Sequence, residues 1–75
     1  SGGRYACGIW HCTPGTFRWR FPVDEFVYFV SGEARVTYPG KPTAVIRRGE
    51  AAYFPRGRSV WKVTRTVRKV FVGRF

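Results

Sequence analysis

Residue types and patterns that mark several common protein classes are scarce in this chain of 75 residues. It has one histidine, two cysteines and no methionine, and 4 acidic residues stand against 14 lysines and arginines. No window shows a convincing helical period, and the longest apolar run, Phe26 to Val30, is far too short to span a membrane. These absences argue against a helical bundle, a membrane helix and a disulfide scaffold.

The two cysteines are predicted to be reduced thiols. On one strand, Cys7 and Cys12 would lie about 16 Å apart on opposite faces, whereas a disulfide needs Cα atoms within about 7 Å. Reduced thiols and the lack of a secretory signal pattern lead us to expect a cytoplasmic protein.

The composition indicates one small folded domain over residues 1–75. The chain is 44% hydrophobic and 19% aromatic, which excludes a disordered chain. A domain of this size buries only about 60–65% of its unfolded surface, so association of two copies would help to stabilise it.

The net charge of +10 favours anionic partners, such as phosphorylated metabolites, nucleic acid or acidic surfaces. The basic residues are nevertheless spread from Arg4 to Arg74 without a compact basic block. Solvated outer faces of strands explain them more simply, and nucleic-acid binding stays an alternative.

Alternation of apolar and polar residues with a period of two predicts an all-β protein. In residues 33–38, Ala34, Val36 and Tyr38 share one face, as in a half-buried strand. Turns rich in Gly and Pro divide the chain into short pieces, which is typical of a sandwich or barrel. The predicted strands are roughly 4–12, 16–21, 25–31, 33–38, 43–47, 50–54, 58–65 and 67–74.

The apolar run Phe26 to Val30 is hydrophobic on both faces, as in strands covered on both sides. One face can line the core of the domain, and the other needs a second layer. We therefore expect a homodimer.

Two motifs resemble those of the cupin superfamily. "EFVYFVSG", from Glu25 to Gly32, fits the first motif, which runs from Glu through six residues to Gly. Gly49, Pro55 and Gly57 fit the second motif. The chain is most similar to small single-domain cupins related to the ureidoglycine aminohydrolase-like group. The resemblance implies a small antiparallel jelly-roll barrel. Typical members carry further residues upstream, so either the chain starts late or it lacks N-terminal strands.

The resemblance also implies a metal site, and this chain has lost most of it. The family's two early histidines fall on Arg18 and Arg20, and its late histidine falls on Val60. Only Glu25 keeps a ligand type, and one carboxylate does not bind a transition metal. His11, the one histidine, reads as an ordinary strand residue. We expect no bound metal and no other cofactor.

Glu25 needs a positive partner if it points into the barrel, because a buried carboxylate otherwise becomes neutral. Arg18 or Arg20 could supply that charge, or Glu25 could lie exposed at a strand start. The alternation allows only one set of side chains on the inner face, and burying guanidinium groups is costly. Hydrophobicity therefore favours an inner face formed by the aromatic residues that alternate with the two arginines, namely Phe17, Trp19 and Phe21.

The sequence thus predicts a cupin-fold protein with a degenerate metal site that binds a small, anionic metabolite in the barrel. Two alternatives stay open: a metal-dependent cupin enzyme acting on a small nitrogenous substrate, and a basic nucleic-acid-binding barrel. The candidate ligand-binding residues are Glu25, Arg18, Arg20, Trp19, Tyr28, Tyr53, Val60 and Trp61.

Overall fold

The computed structural model describes residues 4–75, which form six strands of one antiparallel sheet and contain no helix. The strands are β1 (Tyr5–Cys12), β2 (Gly15–Phe21), β3 (Glu25–Thr37), β4 (Ala44–Arg47), β5 (Ala51–Phe54) and β6 (Gly57–Arg74). The predicted all-β, antiparallel architecture is confirmed.

Two long strands organise the sheet. β3 and β6, of 13 and 18 residues, pair with each other along much of their length. The other edge of β6 pairs with β1 over residues 67–74 and with β2 over residues 57–63. The other edge of β3 pairs with β5 at one end and β4 at the other. Each long strand therefore joins two short ones to a single sheet.

The prediction of separate strands on either side of Gly32 and of residue 66 is wrong. The ladder between β3 and β6 continues through both places, with register shifts between Phe29 and Ala34. Such bulges bend a strand and increase its twist without ending it. Gly32, whose φ of 90° is in the left-handed region, therefore lies within β3 and does not end it.

Replacing Gly32 by alanine should destabilise the fold by about 3 kcal/mol or more. A Cβ at this position would press against the carbonyl oxygen of Thr66 and lie 2.7 Å from the Cα of Val67. Gly49 is the matched control, because its φ of 84° is similar but nothing lies within 4 Å of an added Cβ. Gly49→Ala should cost only about 1–2 kcal/mol. Equal losses in urea unfolding of the two variants would contradict the clash.

Strand alternation places an aromatic-rich core on the inner face. On β2, Phe21 is buried and Phe17 half-buried, whereas Arg18 and Arg20 are exposed, so the predicted inward position holds for these two aromatic residues. Trp19, the third residue of the predicted inward set, is 40% exposed. The core centres on Trp61 and consists of Phe21, Val27, Phe29, Ala34, Val36, Ile46, Phe54, Trp61, Val63 and Val67.

Candidate functional site

A lysine and a glutamate are buried together among the aromatic residues of the core. Glu25 is the first residue of β3 and is 9% exposed, while Lys69, on β6, is 3% exposed. In the strand register, Lys69 lies between Trp10 of β1 and Phe29 of β3. Cross-strand neighbours face the same side of a sheet, so this register turns the lysine side chain into the core.

Aromatic rings surround the Lys69 ammonium. Its Nζ lies 4.7 Å from the ring centroid of Trp61 and 4.8 Å from that of Trp10. The rings of Phe21 and Phe54 follow at 5.5 and 5.7 Å. Ring faces attract cations, and the attraction grows when water is excluded. The rings thereby offset part of the cost of burying this charge.

Glu25 is the only carboxylate that forms an ion pair with Lys69 among residues 4–75. Lys69 Nζ lies 3.9 Å from Glu25 Oε1, which is an ion pair but too long for a direct hydrogen bond. Burial lowers the pKa of Lys69 to about 8, and the charge of Glu25 opposes this shift. Burial also raises the pKa of Glu25, against the opposing effect of Lys69. Burial therefore favours the neutral form of both side chains, and each charge opposes this effect on the other.

A small cavity lies beside this pair. Its volume is about 60 Å³, room for about two water molecules at roughly 30 Å³ each. The indole Nε1 of Trp61 is buried and has no hydrogen-bond partner. Such an orphaned donor is costly unless an acceptor fills the space beside it. The cavity is lined by Trp10, Trp19, Glu25, Trp61, Lys69 and Phe71.

The structure assigns a different partner to Glu25 than the sequence suggested. Glu25 is buried, in agreement with one of the two readings, but its partner is Lys69 and not Arg18 or Arg20. Both arginines lie on the exposed face of β2. The reason is the alternation along β2, which turns the arginines outward when Phe17 and Phe21 point inward.

The remaining candidates divide between the inner and outer faces. Trp19 and Trp61 line the inner cavity with Glu25. Val60 is exposed, because the buried Ser59 and Trp61 occupy the inward positions of β6. The prediction that Tyr28 and Tyr53 line the cavity is wrong: both are exposed on the outer face.

Sequence reasoning missed Lys69 as the central group. A signal was present, because Val67, Lys69 and Phe71 share one face of β6 and two of them are apolar. The opposite face, with Val70 and Val72, is equally apolar, so the pattern did not distinguish inside from outside.

The donors around Glu25 do not fit a transition metal. The positions of the three family histidines, Arg18, Arg20 and Val60, all lie on the exposed face, and an ammonium group stands beside the one carboxylate. Within residues 4–75, no three His, Cys, Asp or Glu side chains converge on one point. A cation held near Glu25 would be repelled by Lys69.

The antiparallel sheet, the two spaced motifs and the inward glutamate of the first motif together define a small cupin. More particularly, the chain belongs to the family described as the EutQ-like cupin domain, whose model matches residues 1–71. No curated protein matched the chain.

Solved structures support the same assignment. A DUF861 family protein from Thermotoga maritima is 33% identical, with a TM-score of 0.83 over 91% of this chain and 77% of its own. The EutQ protein of Clostridium difficile is 25% identical, with a TM-score of 0.82 over 95% of this chain and 56% of its own. This chain therefore spans little more than half of that protein.

A third structure is a putative ethanolamine utilization protein Q from Salmonella typhimurium LT2. It is 27% identical, with a TM-score of 0.78 over 93% of this chain and 57% of its own. A cupin-2 domain containing protein from Shewanella frigidimarina NCIMB 400, at 12% identity and a TM-score of 0.75, shows the fold alone; the alignment covers 99% of this chain and 80% of that one. These neighbours confirm the predicted jelly-roll barrel. The described residues 4–75 include no helix that is long and apolar enough to cross a membrane.

Proposed function

We propose that this chain is a metal-independent cupin that binds a small carboxylate inside the barrel, beside Lys69. The observation that supports this most strongly is that one cavity is lined by both Lys69, a buried ammonium, and Trp61, whose indole N–H has no hydrogen-bond partner. In this proposal the ammonium of Lys69 occupies the role that the metal has in other cupins, as the positive group that attracts the ligand.

The chemistry of the cavity selects a ligand with acceptor oxygens and few atoms. Lys69 Nζ and Trp61 Nε1 are both donors, and a carboxylate offers two acceptor oxygens. The volume of about 60 Å³ limits the ligand to the size of formate or acetate. A ligand with four non-hydrogen atoms gains at most about 6 kcal/mol, so the dissociation constant should not fall below tens of micromolar.

The alternative of a metal-dependent enzyme acting on a small nitrogenous substrate finds less support. A metal-dependent enzyme was inferred from the likeness to ureidoglycine aminohydrolase-like cupins. The described residues contain no group of three His, Cys, Asp or Glu side chains that could hold the metal. The Salmonella protein is named for ethanolamine utilization, but an ammonium ligand would face the ammonium of Lys69 in this cavity. Cytoplasmic location remains a prediction.

We expect acetate and formate to bind the wild-type chain and acetamide to bind much more weakly. Titration followed by two-dimensional NMR, at constant ionic strength maintained with chloride, would measure this. Lys69→Met should abolish the response, whereas Lys62→Met, the same change at an exposed position of β6, should leave it intact.

One control variant and two possible outcomes make this test decisive. The double variant Glu25→Gln/Lys69→Met removes both charges and should remain folded, so its loss of binding would not reflect unfolding. Wild-type affinity in Lys69→Met would refute the site. Equal binding of acetamide and acetate would refute an anionic ligand.

We also propose that the chain forms a homodimer through the outer face of the sheet. Phe26 lies opposite Val72, and Tyr28 lies opposite Val70. On the other side, the ring of Phe26 contacts that of Tyr53 with centroids 4.9 Å apart. These residues, with Ile9 and Val30, form a continuous apolar face across β5, β3, β6 and β1, and each is at least 39% exposed.

The size of this apolar face supports a second copy as its occupant. Aromatic side chains present about 150–250 Å² each, so the exposed parts of these residues together amount to several hundred Å². Contiguous apolar patches of more than a few hundred Å² are rare on the surface of monomeric proteins. A stable interface buries about 800 Å² per partner. A second copy offers the same apolar face around a two-fold axis.

A further inference from the structure

A basic groove lies on the surface beside β2 and receives residues from both alternations of that strand. Its volume is about 610 Å³. The strand register explains which residues meet there: Arg18 lies opposite Val60, and Arg20 lies opposite Arg58. The segment after β3 supplies the remaining wall. The groove is lined by Arg18, Trp19, Arg20, Thr37, Tyr38, Pro39, Gly40, Lys41, Arg58, Ser59 and Val60.

The groove concentrates positive charge without a compensating carboxylate. Its lining includes Arg18, Arg20, Lys41 and Arg58, all exposed, and no acidic residue. Arg20 and Arg58 are directly opposite each other on neighbouring strands. Like charges in such a pair are destabilising. A bound anion would relieve this repulsion.

The acidic residues of the chain are engaged elsewhere. Asp24 Oδ1 accepts a hydrogen bond from the backbone N–H of Arg56 at 2.7 Å. Glu25 forms the ion pair with Lys69. Glu33 pairs with the Arg47 side chain, and Glu50 accepts a hydrogen bond from the backbone N–H of the same residue. Since the chain has only four acidic residues, none is left to neutralise the groove.

We infer that this groove binds a small organic polyanion with at least two carboxylate or phosphate groups. The planar fork of an arginine donates two parallel hydrogen bonds to either group. Two charges are needed because one monoanion cannot neutralise four cations. Trp19 and Val60 give apolar contact for the body of the molecule between the charged ends.

Two features favour a small molecule over nucleic acid. The volume of 610 Å³ falls in the usual range of small-molecule sites, about 300–1,000 Å³. Among the groove's aromatic side chains, Tyr38 uses its hydroxyl to donate a hydrogen bond of 2.7 Å to the Pro55 carbonyl. Only Trp19 is then left as an exposed stacking ring, whereas single-stranded nucleic acid is bound by several such rings in succession.

This inference is independent of the carboxylate proposed for the inner cavity. The two sites share the Trp19 ring, but their charged residues differ completely. The experiments separate them, because the folded double variant Glu25→Gln/Lys69→Met should lose acetate binding inside the barrel and keep the binding of polyanions in the groove.

Calorimetric titration of the full chain with citrate, pyrophosphate and acetate at low salt tests the inference. We expect citrate or pyrophosphate to bind at least tenfold more tightly than acetate, and the stronger of the two identifies carboxylate or phosphate as the preferred group. Arg20→Gln and Arg58→Gln should each weaken this binding about tenfold. Arg48→Gln, the same change in the exposed turn between β4 and β5, should have less than a twofold effect.

The variants should stay folded, because removing either arginine also removes a like-charge contact. An equal loss of affinity in Arg48→Gln would show only a general charge effect and overturn the inference. So would binding of acetate as strong as that of citrate and pyrophosphate. A single-stranded RNA 12-mer that binds more tightly than both polyanions, and loses affinity in the groove variants, would replace the small polyanion by nucleic acid.

Discussion

Replacing Lys69 by methionine should destabilise the fold by about 3–5 kcal/mol, because it leaves the buried carboxylate of Glu25 without its cation. Glu25→Gln should cost a similar amount for the reverse reason. The double variant should lie close to the wild type, since a buried ion pair replaced by neutral side chains loses both the attraction and the desolvation cost. The two effects are therefore strongly non-additive.

A double-mutant cycle by chemical denaturation measures this coupling. The pair Glu33–Arg47 is the matched control, because its atoms lie 3.3 Å apart but the arginine side chain is 63% exposed. Its coupling should stay below about 1 kcal/mol. Additive losses at Glu25 and Lys69, no larger than those of the control pair, would show that the buried charges do not stabilise each other.

The same pair makes the stability depend on pH in a defined window. The pKa of Lys69 is lowered from 10.5 to about 8, so between these values the unfolded chain binds more protons than the folded one. Stability should therefore rise with pH, by about 2 kcal/mol between pH 8 and 10. Lys69→Met should remove this rise. The carboxyl of Glu25 titrates at lower pH, and Tyr38, whose pKa burial raises to about 12, titrates above the window.

Phe26→Arg should convert the proposed dimer to a monomer, weakening association on the order of a hundredfold or more. Phe26 is 61% exposed and lies between Tyr53 and Val72 at the centre of the apolar face. An arginine there would bring two like charges together across a two-fold axis and bury both.

Light scattering at tens of micromolar, a concentration on the order of the dissociation constant of a modest interface, would measure the change in mass. Phe75→Arg is the control, since Phe75 is 60% exposed and lies one residue beyond the end of β6, three positions from Val72 and thus on the opposite alternation. It should leave the dimer intact. A wild-type chain that is monomeric at this concentration would contradict the proposal and leave the face to a different segment or partner.

Local pattern in the sequence was enough to predict the fold class and part of the site. The period of two required strands, and hydrophobicity turned Phe17 and Phe21 inward on β2. The spacing of the cupin motifs gave a buried Glu25 as one of two possibilities, and the structure has it buried. These features depend on neighbouring residues along one strand or on short turns, which a sequence states directly.

The tertiary structure alone decided which charge faces Glu25, which strands continue, and which aromatic residues lie outside. Gly32 bends β3 instead of ending it because the backbone of Thr66 packs against it. Tyr28 faces outward because Glu25, Val27 and Phe29 occupy the inner side of the same strand. Glu25 meets Lys69 because β3 and β6 pair in one particular register. Register between distant strands depends on how the whole core packs. The alternation of residues within one strand carries no information about that packing.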